Sequence, residues 1–561
     1  MRHYIIPLLG TLLTCLSLSA AETPERKGYV FSMNCKADAA VDALATPEGR
    51  AEAIQAFREL EIDKVYVESY RSRIFVSEEL LRAIKQDFNK AGFEVQCCVV
   101  PTMLSDRPST GWDRVTCFTD PTGYRRLEEI VRRSALLFDE ILFDDFLFTN
   151  CSCEECQRQK GDKDWSVFRS ELIAQVVSDH LVKPARTVNP KVKLIIKYPC
   201  WYDDFRSKGY DLLRTSKLFD ATWAGTETRD FTPRIPQPQA FWLQNWMCRI
   251  GQCGGGWFDP LGCTPLTFVE QARNTILGGA PETLLHCYDY IYLGDRSVAA
   301  DGGGMSVPKD RSFADAFKRE KKELRRFAEM IQGMELKGYA LSKRPNYDQS
   351  GLEHGIHGFF PMMGIPCYAE IYLPKNHPTI FCAHSAQFDE FETRLAEAVS
   401  GSQPCLITNS TVKGKQTVPK IVQELSAEVA AKSPPCVAVR DNIHLLRFDQ
   451  PWDLARLPEL DQLRNQLLKP WQLEMDAPFG VSLTLLEDAA KKIEVLQNFN
   501  DTPAKIRLRY GDGIERIKAV SLPDDSATTI VSGTQKNEYI ITLAPRSLLT
   551  VVSNGAVVSM P

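Results

Sequence analysis

The sequence predicts an α/β protein built on a (β/α)8 TIM barrel, followed by a smaller flavodoxin-like α/β domain and a C-terminal β-sandwich. Three observations carry the barrel. Over about the first 300 residues, eight short β-forming runs alternate with helix-like stretches. The fourth run ends in two adjacent carboxylates, Asp144 and Asp145, where the C-terminal end of a barrel strand points into the site. No G-x-G-x-x-G or Walker pattern accompanies the first strand, and the glycine runs at 254–256 and 302–304 lack the lysine or strand-turn-helix context of a phosphate loop.

Taken in order, Gly28 to Met33 is the first expected strand, and Glu48 to Leu60 an amphipathic helix after the Thr46-Pro47 cap. Lys64 to Glu68 is the second strand, Glu78 to Ala91 a helix, Phe93 to Val100 the third strand and Thr122 to Phe138 the next helix. Ile141 to Phe143 forms the fourth strand and Trp165 to Ala185 the helix that follows. Val192 to Lys197, Phe219 to Trp223, Gln252 to Phe258 and Thr283 to Tyr290 complete the eight.

The chain of 561 residues, 44% apolar and 25% charged, exceeds the usual size of one domain of about 50–250 residues. A formal net charge of −5 gives no basic field for nucleic acid or anionic membrane, and neither is expected as a partner. Arg2 and His3, an apolar run from Ile5 to about Leu18 and the small residues Ser19-Ala20-Ala21 read as a cleaved secretory signal over 1–21. A secreted or periplasmic protein follows, with Cys15 leaving lipid anchoring open. That run is shorter than the roughly 20 residues of a membrane span. Most of the 17 cysteines are expected to be free and buried, with one cluster set apart.

The strand ends carry the chemistry. After strand two come Glu68, Arg71 and Arg73; after strand four, Asp144 and Asp145; after five, Lys197, Trp201, Tyr202 and Asp203; after six, Glu227, Arg229 and Asp230; after seven, Trp257 and Asp259; after eight, His286, Asp289 and Tyr290. Carboxylates among tryptophans and tyrosines suit a sugar site, since aromatic faces cover a pyranose while acids move protons. No G-x-S-x-G elbow or H-E-x-x-H zinc pair competes. Asp145 is the expected general acid, Asp144 its neighbour in tuning or in orienting an acetamide, and Glu227 or Asp259 the second carboxylate. Glu68, Arg71, Lys197, Trp201, Arg229, Trp257 and His286 are the expected sugar-binding residues. The alternative is a non-catalytic carbohydrate-binding protein descended from an enzyme, or a surface lipoprotein.

Cys151, Cys153 and Cys156 form a Cys-x-Cys-x2-Cys loop after strand four, and Cys117 lies on the excursion after strand three. Four thiolates would close a structural zinc site; a disulfide from Cys117 to one of them is the alternative.

This cysteine pattern resembles the zinc cluster of glycoside hydrolase family 42 β-galactosidases. Downstream, Lys337 to Pro345, Met363 to Ile371, Pro378 to Cys382 and Gln403 to Thr408 are similar to the amidotransferase-like middle domain of that family, which implies a trimer as a possible assembly. Strands from Ile443 to Phe448, Lys492 to Phe499, Ala504 to Leu508, Tyr539 to Leu543 and Leu548 to Val552 resemble its terminal sandwich. The expected division is 22–335 for the barrel, 336–440 for the middle domain and 441–561 for the sandwich. The family's Asn-Glu pair after strand four is replaced by Asp144-Asp145, so its activity does not carry over. Paired aspartates resemble family 84 hexosaminidases, and the cations Arg71, Arg73, Lys197 and Arg229 after barrel strands suit the carboxylate of a sialic or uronic acid. The expected activity is therefore exo-glycosidic, on N-acetylhexosamine or sialic acid.

Overall fold

The computed structural model describes residues 28–229, 237–294, 310–348, 353, 355–412, 417–511, 517–522 and 528–553. The expected signal over 1–21, Cys15, Asp230 and the glycine run at 302–304 lie outside them.

Eight parallel strands close into a barrel: β1 (Val30–Cys35), β2 (Lys64–Arg71), β3 (Glu94–Val100), β4 (Glu140–Phe143), β5 (Lys193–Tyr198), β6 (Ala221–Gly225), β7 (Cys253–Phe258) and β8 (Glu282–Leu285). Each pairs with the next, and β8 closes on β1. Strands two, four and six are buried along their whole length, as a parallel sheet covered by helices requires. The helices begin where the sequence offers caps: Thr46 accepts the Gly49 amide at 3.1 Å and Ser77 the Leu80 amide at 3.2 Å.

Side-chain alternation sorts each strand into an outer and an inner face. Tyr66, Cys98, Leu142, Ile195, Trp223, Trp257 and Leu284 pack together inside the barrel, while Val65, Val67, Ile141, Phe143, Leu194 and Ile196 join the core beneath the helices. The glycines of 254–256 serve this packing: a Cβ on Gly254 would lie 2.6 Å from the Trp223 indole. The eighth strand stops at Leu285 and not at Tyr290. Asp289 begins a helical turn, Asp289–Leu293, where it is buried against Lys36 at 3.0 Å and receives the Cys287 thiol at 2.8 Å.

After the barrel, five parallel strands and one antiparallel edge strand form a second sheet in the order Cys367–Glu370, Tyr339–Ser342, Thr379–Phe381, Cys405–Thr408, Ile443–Arg447, Cys436–Arg440. The first four follow the flavodoxin-like winding. Ile443–Arg447, expected in the sandwich, pairs parallel with Cys405–Thr408 and antiparallel with Cys436–Arg440. The boundary expected after residue 440 therefore falls inside a hairpin, because a short antiparallel return looks the same in sequence whichever sheet receives it.

Two antiparallel sheets of five and four strands face each other over Met475, Leu483, Leu496, Ile506, Leu508, Ile541 and Val551. Glu335–Lys337, which directly follows the barrel, joins this sandwich by pairing with Val481–Glu487. The units are tied together by buried polar contacts. Trp242 and Trp246 donate to the carbonyls of Leu341 and Lys343 at 3.0 Å each, and Arg273 forms an ion pair with Glu320 while donating to the Arg546 carbonyl. Among the described residues 14 cysteines stand outside any disulfide, 13 of them buried, and Cys248 and Cys253 form one. Among the described residues no helix is long and apolar enough to cross a membrane.

Candidate active site

The same alternation that fills the barrel aims its chemistry. Two residues beyond the interior positions Tyr66, Leu142, Ile195, Trp257 and Leu284 stand Glu68, Asp144, Lys197, Asp259 and His286, so all five continue inward at the C-terminal mouth. After Trp223, the inward positions are Gly225 and then Glu227.

Lys197 is the centre. Its ammonium lies 3.1 Å from Asp144, 2.9 Å from Asp145 and 2.5 Å from Glu227, and it stands 4.7 Å over the Trp257 ring. Asp145, one residue out of phase, reaches the cluster because β4 has ended at Phe143 and the chain turns. Its carbonyl accepts the Tyr210 hydroxyl, and its own amide donates to Asp144 Oδ1 at 2.9 Å. Gly225 has no room for a side chain: a Cβ would lie 2.4 Å from Glu227 Oε2 and 3.0 Å from Lys197 Cε.

Two further ion pairs flank the cluster. Arg71 grips Glu68 through both Nε and Nη2 at 2.7 and 2.8 Å and stands 3.7 Å from Asp144. Arg229 holds Asp259 by a two-pronged contact, with Nε at 2.9 Å. His286 stacks on Trp257 at 4.9 Å and lies 3.1 Å from Asn34 Oδ1 through Nδ1. Burial, then the cations Arg71, Lys36, Lys197 and Arg229, push the His286 ring well below its usual range, so it is neutral.

Burial raises Glu227 to about 7, the charges of Asp259 and Asp145 adding to it against the opposing pull of Lys197 and Arg229. Burial and then the Asp144 charge also raise Asp145. Most of the residues expected at the site thus converge; Trp201, Arg73, Tyr202 and Asp203 do not. Trp201 is half-buried on the rim, packed against Phe148, Phe205 and Tyr210. Arg73 turns away, its Nη2 3.5 Å from the Ser105 carbonyl. Tyr202 and Asp203 also leave the mouth and meet His357 and His384 of the second domain at 2.8 and 3.6 Å. Sequence reasoning missed Asn34, Lys36 and Tyr210, although Asn34 and Lys36 could have been found by extending the alternation beyond strand one.

The four cysteines come together between the segments that follow β3 and β4. Their sulfurs all lie within 4.8 Å of one another, with Cys117 3.9 Å from Cys153 and 3.8 Å from Cys156, and Cys153 3.6 Å from Cys156. A tetrahedron with metal–sulfur arms of about 2.3 Å has edges of about 3.8 Å, so the donor set fits a metal ion.

The family described as "Probable glycosyl hydrolase, catalytic domain" matches residues 19–341. An uncharacterised protein of Saccharolobus solfataricus, SSO3021, is 25% identical over 311 residues, half of this chain and half of that one. The chain thus spans about half the length of that curated relative. Among solved structures, β-galactosidase from Bacillus circulans sp. alkalophilus superposes with a TM-score of 0.63 at 10% identity, over 94% of this chain and 99% of that one. An α-L-fucosidase from Paenibacillus thiaminolyticus gives 0.59 at 10% identity, over 94% and 100%. At such identities these neighbours show a shared fold: barrel, α/β domain and sandwich in one order. The family match covers more than half of the chain and includes the whole barrel with its acidic mouth; the protein belongs to the family described as probable glycosyl hydrolase, catalytic domain.

Proposed function

We propose that this protein is a glycoside hydrolase, in keeping with its family, and that it is exo-acting, removes uncharged terminal sugars and retains anomeric configuration. The carrying observation is the Lys197 ammonium shared by Asp145 and Glu227 at 2.9 and 2.5 Å. Their facing oxygens are no farther apart than those two legs laid end to end. That separation suits the roughly 5–5.5 Å of retaining enzymes and falls short of the 6.5–9.5 Å that leaves room for a water in inverting ones.

Glu227, raised to about 7, keeps its proton near neutral pH and is the general acid. Asp145 is the nucleophile, its carboxylate stabilised by Lys197. An Asp145 oxygen bonds to the anomeric carbon as the glycosidic bond breaks and the Glu227 proton passes to the leaving oxygen. Water then attacks the same carbon, gives its proton to Glu227 and releases Asp145. Asp144 and Lys197 position this pair, and His286 and Trp257 face the terminal sugar. Asp259, held by Arg229, acts on Glu227 through its charge.

Three of the cations that suggested an acidic sugar are engaged by the protein's own carboxylates: Arg71 by Glu68, Lys197 by three acids and Arg229 by Asp259. A sialic or uronic carboxylate would meet an acidic mouth, whereas a neutral hexose or N-acetylhexosamine would not. The barrel interior below the cluster is filled by side chains, so substrate approaches from the loop side alone, the approach the exo reading requires.

Cys117, Cys151, Cys153 and Cys156 would hold a structural zinc, which supplies no chemistry to the reaction and ties the loops after β3 and β4 together. We extend the reading to export, on the apolar run Ile5 to Leu18 and the Ser19-Ala20-Ala21 end; N-terminal sequencing of protein from its native host should begin near Glu22.

The test is a panel of nitrophenyl glycosides of β-galactose, α-L-fucose, N-acetyl-β-hexosamine and α-sialic acid, with the first-formed anomer read by NMR. Turnover of a neutral glycoside with retained configuration is expected; sialoside as the preferred substrate, or an inverted product, overturns the corresponding part.

A further inference from the structure

Trp112 is 46% exposed, an unusual placement for the largest apolar side chain, and it stands on the loop after β3. Its ring packs at 5.3 Å on Phe146, the residue directly after Asp145, and Phe146 stacks in turn on Phe148 at 6.0 Å. Phe146 packs against the interior cluster of the barrel, so the row runs from the barrel axis outward to solvent.

The loop that carries Trp112 is held in place. Asn150 Oδ1 accepts the Trp112 amide at 3.3 Å and the Ser109 hydroxyl at 3.4 Å, and Thr110 Oγ1 accepts the Ser152 amide at 2.8 Å. Gly111 makes this approach possible, because a Cβ there would lie 2.3 Å from Asn150 Oδ1. An aromatic face fixed by the loop that also carries Asp145, and left open to solvent, is built to receive something flat and partly apolar.

We infer that Trp112 and Phe146 form a platform for the sugar on the leaving-group side of the scissile bond. The inference rests on the exo-glycosidase reading: the terminal sugar lies against Asp145 and Glu227, so whatever meets the outward end of this aromatic row belongs to the leaving portion. The platform makes this an enzyme for oligosaccharide ends, one that draws affinity from the second sugar.

The test compares substrates that have a second sugar with substrates that lack one. Lactose, N,N′-diacetylchitobiose and 2′-fucosyllactose are paired with β-galactosyl, N-acetyl-β-glucosaminyl and α-L-fucosyl fluoride, whose leaving group is a single atom. With the pair that the wild type turns over, Trp112→Ala should raise KM for the oligosaccharide about tenfold and leave kcat/KM for the fluoride within twofold. Trp112→Phe should restore most of the loss. Gly111→Ala, which displaces the Asn150 carboxamide, should reproduce the defect in weaker form at an unchanged melting temperature. Equal effects of Trp112→Ala on both members of the pair, or no effect on either, overturn the platform alone. A wild type inactive on every pair overturns the glycosidase reading and the platform with it.

Discussion

Glu227 lies 2.5 Å from the Lys197 ammonium and nevertheless has its pKa raised to about 7. An ammonium so near would by itself lower a carboxyl group. It does not prevail because burial raises the group more than the ammonium lowers it, and the charges of Asp259 and Asp145 add to the rise. Lys197 is shared among Asp144, Asp145 and Glu227, and even with Arg229 nearby the cations offset only part of the cost of burying the Glu227 charge.

The pH dependence follows from that direction. Since Glu227 acts as an acid in its protonated form, kcat/KM should fall as pH rises through about 7. For stability the sign is the same: a carboxyl raised on folding contributes fully below its unfolded value of about 4.3 and loses that contribution as pH rises through about 7. Titration of activity and melting temperature from pH 4 to 9 checks both, and Glu227→Gln should flatten the upper limb of each.

Roles within the pair separate by leaving group. Glu227→Gln should lower turnover of natural oligosaccharides by about 10²–10⁴ and spare an aryl glycoside whose departure needs little protonation. Asp145→Asn should fail on both, because the bond to the anomeric carbon is lost. The opposite pattern in steady-state rates would exchange the two assignments.

Removing the shared cation should be severe. Lys197 is 3% exposed in its side chain and its partners Asp144 and Glu227 are 6% and 4%, so Lys197→Met leaves buried acids without a counter-charge. Breaking a buried pair from one side costs about 3–5 kcal/mol, read as a lower urea midpoint at unchanged slope. A midpoint within experimental error of the wild type would show that water already screens the cluster.

The metal prediction is independent of catalysis. Elemental analysis should give about one zinc per chain, and Cys153→Ser should reduce both metal content and melting temperature while the reaction at saturating substrate persists. A metal-free protein with a disulfide in that loop would sink the assignment.

The sequence by itself determined the barrel and most of its mouth, because both depend on local periodicity. Alternation along eight short strands sets which side chains face inward, and continuing it two residues past the interior positions Tyr66, Leu142, Ile195, Trp257 and Leu284 places Glu68, Asp144, Lys197, Asp259 and His286 without knowledge of their neighbours. It likewise set Cys117 apart with Cys151, Cys153 and Cys156, since loops after adjacent parallel strands must meet. What only the tertiary structure decided is who pairs with whom. Arg71, Lys197 and Arg229 read alike in sequence as free cations for an acidic sugar; in the structure Arg71 folds back on Glu68 of its own strand, while the closed barrel brings three acids to Lys197 and Asp259 to Arg229 from 30 to 53 residues away in sequence. The proton on Glu227 is likewise a property of burial and summed charge, which no single segment contains. Ile443–Arg447 shows the same limit at the scale of the fold: its apolar pattern specifies a strand, and only the partner it finds specifies the sheet.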